Sequence, residues 1–210
     1  MQILAWITAS AIIGFSRFIT AVKGFWPGGV PHRGQAIYFA NHTSNGDFIL
    51  LWTVLGALRR KTRPVAAADY WLSTPLKRFI GQNVFNAVLI DRDPETRTHD
   101  PIEQMLEALD EGSSLIIFPE GTRNASDEVL LPFKAGLFHL SEKRPDVPLI
   151  PAWIENLNRV LPKGEVIPVP FICTVKFGAS TQLEKGEEKP GFLTRAEKMV
   201  LALRPEGAST

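Results

Sequence analysis

Cysteine is nearly missing from this chain: Cys173 is the single one in 210 residues. A lone thiol excludes an internal disulfide framework, and no Cys/His grouping falls at zinc-like spacing. Cys173 lies in the strand-like "FICTVKFG", where a buried apolar role is expected. Phosphate-cradling loops of the G-x-x-x-x-G-K or G-x-G-x-x-G form are also missing. So is any excess of one charge: the formal net charge is +1, and the balance points to no nucleic-acid partner. There is no internal repeat and no low-complexity segment. What remains, 210 residues at 45% hydrophobic content, is enough to bury a full core in one domain.

The N-terminus has its own character. "ILAWITASAIIGF" (3–15) is uncharged, and Arg17 interrupts before "FITAV". A secretory signal is disfavoured, because the start has no basic n-region. A single spanning helix is an alternative, but the uncharged run is shorter than the ~20 residues that such a helix usually needs. Arg17 near a bilayer centre would cost roughly 2.5–3.5 kcal/mol on insertion scales. Trp6, Phe15, Phe18, Phe25 and Trp26 suit a membrane interface, where aromatic rings collect. The expectation is a helix lying in or on one leaflet over residues 1–29, with "PGG" (27–29) as its exit. Residues 30–210 then form a single domain. A core helix capping that domain is the other alternative.

From residue 36 the pattern alternates. Strands are expected at 36–40, 64–68, 86–90, 114–118, 148–154 and 171–177. A helix is expected at 101–111: Asp100 as N-cap, Pro101 in the first turn, Glu103 closing a D-x-x-E box and Gly112 as terminator. A second follows Asp47, apolar nearly all round up to "RRK", and reads as buried or as shared between core and lipid. The fold class is therefore α/β, a mixed and largely parallel sheet flanked by helices, with an apolar N-terminal helix.

Polar motifs recur at one place in this pattern. His42 follows the first expected strand, Arg92 the third, and "PEGTR" (119–123) the fourth. Open α/β sheets bind ligands beyond the carboxyl ends of their strands. His42, Asp47, Arg92, Glu120 and Arg123 are thereby gathered on one rim. Residues five apart on a helix diverge by about 140°. For His42 to meet Asp47, the histidine must precede the helix and the aspartate must start it, with Ser44 or Asn45 as N-cap. The helix N-terminus favours an ionised Asp47, which could orient the imidazole.

"NHTSNGD" together with "FPEGTR" resembles the glycerolipid acyltransferase family typified by 1-acyl-sn-glycerol-3-phosphate acyltransferases. "LIDR" (89–92), "LPFKAG" (131–136) and "VPLIP" (147–151) are similar to further blocks of that family, in order, so the likeness spans roughly residues 36–178. The resemblance implies a glycerol-3-phosphate acyltransferase-like fold. It also implies transfer of a fatty acyl group from an acyl-CoA or acyl-carrier-protein thioester to lysophosphatidic acid, giving phosphatidic acid in phospholipid biosynthesis. By the H-x-x-x-x-D match, His42 is the general base and Asp47 its partner. Arg92, Glu120, Gly121, Thr122 and Arg123 fall on acceptor-binding positions, and Lys134 joins them as a weaker match. No cofactor and no metal are implied. The expected location is the cytoplasmic face of a membrane, and no oligomeric state is specified.

One stretch departs from the family. Where a basic or K-x-E-L-like segment is common, this chain reads "AAADYWLSTP" (66–75), which puts the acceptor headgroup in question. Another lysophospholipid or a lyso-ornithine lipid is the alternative acceptor. A thioester hydrolase and a non-catalytic lipid-binding module are the alternatives of other classes. Read without each other, the H-x-x-x-x-D is a capped turn, the arginines are surface charges and "PEGT" is an ordinary turn. "RRKTR" (59–63) reads as a solvated helix end.

Overall fold

A computed structural model describes residues 1–93, 95, 97–157 and 171–205. Parts of the expected domain, 158–170 and 206–210, lie outside the described residues. Among the described residues seven strands form one sheet: β1 (Lys23–Phe25), β2 (Ile37–Ala40), β3 (Thr62–Ala67), β4 (Val88–Ile90), β5 (Ser114–Ile117), β6 (Leu149–Glu155) and β7 (Thr174–Phe177). Their order is β1-β7-β6-β2-β5-β3-β4. Among the described residues only strands β6 and β7 pair antiparallel, so the sheet is mixed and mostly parallel, as expected.

The central strands β2 and β5 are buried at every position, and β6 at all but its last. That is why they read as continuous apolar runs rather than as alternation. Their side chains still divide by parity. Ile37, Phe39, Leu115, Ile117 and Leu149 face one core, with Met105, Leu109, Leu137, Leu140 and Phe192 from α5 (Pro101–Asp110), α6 (Gly136–Lys143) and α7 (Lys189–Leu201). Tyr38, Ala40, Ile116, Ile150 and Ile154 face the other, with Leu50, Leu51 and Trp52 from α2 (Asp47–Val54). α5 begins as the sequence dictates: the Asp100 carboxylate accepts from the Ile102 N–H at 2.7 Å, with Pro101 in the first turn.

Helix α1 (Gln2–Thr20) packs on α2 but buries only Ile13, Ser16 and Thr20. Met1, Ile3, Leu4, Trp6, Ile7, Phe15 and Phe18 are all more than half exposed. Among the described residues it is the one helix long and apolar enough to cross a membrane. Its exit is a correction to the sequence reading. The helix ends at Ala21 in the left-handed region (φ 40°), not at "PGG". The Cys173 N–H then donates to Thr20 O at 2.8 Å, and residues 23–25 join the sheet edge beside β7. A three-residue exposed strand, "KGF", carries no local apolar signal. Only pairing with β7 makes it a strand. The rest of the α2 side folds into short pieces: the 3₁₀ helix Gly56–Lys61, α3 (Ala68–Trp71) and α4 (Pro75–Phe79). Arg63 leaves the expected basic helix end altogether. It sits in β3 and bonds Glu111 at 2.7 Å.

Asn41 extends the β2–β6 ladder past its last paired residues. It is 2% exposed, its Nδ2 donates to Ile154 O at 3.0 Å, and its Oδ1 accepts from Ile154 N at 2.7 Å. Replacing it by alanine leaves both backbone groups of Ile154 without partners. Asn41→Ala is expected to lower the unfolding free energy in a urea titration by about 2–6 kcal/mol, the sum for two buried unsatisfied groups.

Candidate active site

β2 and β5 are neighbours and run parallel, so the turns that follow them emerge side by side. His42 lies in the turn after β2, two residues past its end, and Glu120 in the turn after β5. Their backbones are tied together. The His42 N–H donates to Glu120 Oε1 at 2.6 Å, and the Asn124 N–H donates to His42 O at 2.7 Å. The second Glu120 oxygen accepts from the Leu131 N–H at 2.9 Å. Glu120 is buried, and its carboxylate thus holds main-chain donors on both oxygens rather than an arginine. Burial raises its carboxyl above the ordinary glutamate range, while the Leu131 and His42 N–H groups pull the other way.

The imidazole is fixed on two sides. Its Nδ1 lies 2.9 Å from Asp47 Oδ2, and its ring stacks on Phe118 at 4.3 Å between centroids and 19° between planes. A carboxylate only accepts, so Nδ1 carries the proton and the lone pair sits on Nε2. The His42 side chain is 20% exposed whereas Asp47 is fully buried. A buried carboxylate loses several kcal/mol of hydration unless donors replace the water, as an order of magnitude. Oδ2 receives three: His42 Nδ1, the Thr43 N–H at 2.7 Å and the Ser44 N–H at 2.8 Å. Each bond to a charged group contributes about 1.5–3 kcal/mol against that loss, while Oδ1 is buried with no hydrogen-bond partner among the described residues. The helix cap differs from expectation. Gly46 is the N-cap of α2, and Ser44 accepts from the Gly46 N–H at 3.3 Å instead of capping the helix, while Asn45 is exposed. Asp47 has taken the donors of the turn for itself.

The remaining predicted residues spread along the same edge. Thr122 and Arg123 are exposed beside Glu120, and among the described residues Arg123 has no ion pair. Gly121 has φ +69°, and a Cβ there would lie 2.7 Å from Lys134 Cδ, so what closes on this glycine is the lysine stem. The Lys134 N–H donates to Pro119 O at 2.8 Å, which folds residues 119–134 back on themselves. Arg92 follows the edge strand β4, three strand positions from β2 or roughly 14 Å across the sheet. It bonds Asp69 at 2.8 Å. Burial pushes the Cys173 thiol up to about 12, which leaves it no standing as a nucleophile. Phe118, Asn124 and the Leu131 amide were not among the residues singled out from the sequence. Only the strand-end position of Phe118, next to "PEGTR", signals its part.

A partly exposed imidazole with an oriented tautomer, in a turn beside one that carries an exposed guanidinium, can take a proton from a bound hydroxyl or water. Comparison with known proteins narrows this. A family model described as Acyltransferase matches residues 28–155. The 1-acyl-sn-glycerol-3-phosphate acyltransferases of Haemophilus influenzae and Escherichia coli are each 32% identical, over 134 and 141 residues, covering 60% of this chain and 52% of theirs. The enzyme of that name from Cocos nucifera is 31% identical over 158 residues, covering 74% of this chain and 48% of its own. The chain thus spans about half the length of the curated relatives it matches. The crystal structure of the 1-acyl-sn-glycerophosphate (LPA) acyltransferase PlsC from Thermotoga maritima superposes with a TM-score of 0.72 at 20% identity, over 98% of this chain and 82% of that one. It has the same fold.

The clamp on His42 gives a test that needs no substrate. In Glu120→Gln one amide oxygen remains, and the NH₂ group meets a backbone N–H donor. The variant should lose about 1–3 kcal/mol of stability in urea unfolding. Its His42 and Leu131 amide protons should exchange with solvent faster than in the wild type.

Proposed function

Because this chain belongs to the acyltransferase family, we propose that it moves a fatty acyl group from a thioester, acyl-CoA or acyl-carrier protein, to the free hydroxyl of lysophosphatidic acid. The observation that carries the reading is the His42–Asp47 pair, 2.9 Å apart, in the turn beside the one on which Thr122 and Arg123 are exposed. In this mechanism the acceptor hydroxyl gives its proton to Nε2 as its oxygen attacks the thioester carbonyl carbon. Asp47 stabilises the imidazolium so formed. The tetrahedral intermediate collapses with cleavage of the carbon–sulfur bond. The thiolate leaves, needing little acid help if its pKa resembles the ~8.5 of cysteine. The proton on His42 then passes to the thiolate or to solvent, and the base is restored. No acyl-enzyme is needed, in keeping with a cysteine that is buried and protonated.

In the same reading Arg123 and Arg92 hold the acceptor phosphate, since guanidinium forks donate parallel charge-assisted hydrogen bonds. Lys134 adds a cation beside Gly121, and Thr122 adds a hydroxyl. Glu120 acts from behind by holding the His42 backbone, a positioning part in place of direct contact with glycerol. α1 is the membrane-associating element, set on the cytoplasmic face and placing the rim near its lipid substrate. Residues 30–210 form the acyltransferase domain, which the strand 23–25 joins at the sheet edge.

The purified chain, given labelled acyl thioester and lysophosphatidic acid, should form phosphatidic acid. His42→Ala should lower kcat by about 10²–10⁴-fold with a small effect on KM, as for other positioned bases. Undiminished turnover in that variant would remove the assigned base. Free fatty acid released without an acceptor would favour hydrolysis instead. For the membrane element, a Trp6→Glu, Phe18→Glu variant should bind phospholipid vesicles at least about tenfold more weakly in a sedimentation assay. Two large apolar side chains then no longer leave water.

A further inference from the structure

Arg92 is already engaged. Its Nη2 donates to Asp69 Oδ2 at 2.8 Å, and this bond holds the Asp69 carboxyl below the usual range. Asp69 belongs to α3, the "ADYW" stretch that departs from the family pattern. Both residues line an open cleft of about 810 Å³, together with Ala68, Leu72, Asp91 and Asp93. The turn after β4 is folded around the arginine by its own carboxylates: the Asp93 N–H donates to Asp91 Oδ1 at 3.0 Å, and the Glu95 N–H donates to Asp93 Oδ1 at 2.9 Å. The cleft therefore offers one guanidinium among three aspartates.

A phosphate monoester near neutral pH carries close to two negative charges. To reach Arg92 it must come up against the Asp69 carboxylate or push it aside. The pair is solvated, with side chains 54% and 66% exposed, so the bond exchanges with little penalty, but it still competes. A phosphate diester that bears an ammonium meets no such conflict. Its phosphate can share Arg92, which has five N–H donors, while the ammonium takes the place beside Asp69.

We propose that Asp69 is an acceptor-selecting residue: it competes with the acceptor's phosphate for Arg92 and shifts preference from a bare phosphate monoester toward a lysophospholipid whose phosphate carries an ammonium group. The inference rests on Arg92 as a phosphate ligand of the acyltransferase.

The test is steady-state kinetics of the full chain with a labelled acyl thioester and two acceptors, lysophosphatidic acid and lysophosphatidylethanolamine. Asp69→Asn should lower KM for lysophosphatidic acid about two- to fivefold, the range expected on losing an exposed ion pair, with kcat nearly unchanged. It should raise KM for the ethanolamine ester by a similar factor. In an Arg92→Ala background the first effect should vanish, which a merely structural role for Asp69 would not produce. An acceptor ratio that Asp69→Asn leaves unmoved, while Arg92→Ala alone raises KM for lysophosphatidic acid, overturns the selecting role and leaves Arg92 as a ligand. A KM for lysophosphatidic acid that Arg92→Ala leaves unchanged overturns both.

Discussion

The hydrogen bond from the His42 amide to Glu120 joins the turns that follow two adjacent parallel strands. It fixes where the backbone of His42 sits. With the backbone of His42 held from the β5 side by Glu120 and Asn124, the imidazole has its two side-chain torsions left to settle. Phe118 and Asp47 settle them. The donor–acceptor chain runs from Leu131 through Glu120 to His42, and the carboxylate at its middle is buried, where hydrogen bonds are strong and an empty valence is costly. A ring on a surface turn would lose its orientation to side-chain entropy. A ring tied at both its main-chain groups, on one face by Phe118 and at its Nδ1 edge by Asp47 does not.

Much of this was legible in the residues. The parity of Ile37/Phe39 against Tyr38/Ala40, and of Leu115/Ile117 against Ile116, was hidden because both faces of the sheet are covered, yet the apolar runs themselves marked every central strand. The Asp100 cap and Pro101 gave α5 its start. What was not legible depended on distant partners. "KGF" becomes a strand only against β7, and the helix before it stops where Thr20 meets Cys173. The rim order followed from strand-end position, and the pairing of His42 with Asp47 from the need to straddle a helix start. The direction of Glu120 had no local signal, since a glutamate after a strand reads as a solvent-facing charge until the neighbouring turn supplies its amides.

The N-cap is a case where a local rule yielded to the site. Ser44 and Asn45 both favour capping, but the Ser44 hydroxyl accepts from the Gly46 N–H, the Thr43 and Ser44 N–H groups donate to Asp47 Oδ2, and Gly46 stands as the N-cap without a side-chain bond. A helix end normally gains about 1 kcal/mol from a capping side chain. Here that gain is forgone for a carboxylate held against the imidazole. Departures of this kind gather where function is.

The depth of Cys173 has a practical corollary. With the only thiol fully enclosed and disinclined to ionise, the outer surface of the described residues presents no sulfhydryl to alkylating reagents. A spin label or fluorophore attached to a cysteine introduced on α1 would report from that address alone, against a silent background supplied by the native chain.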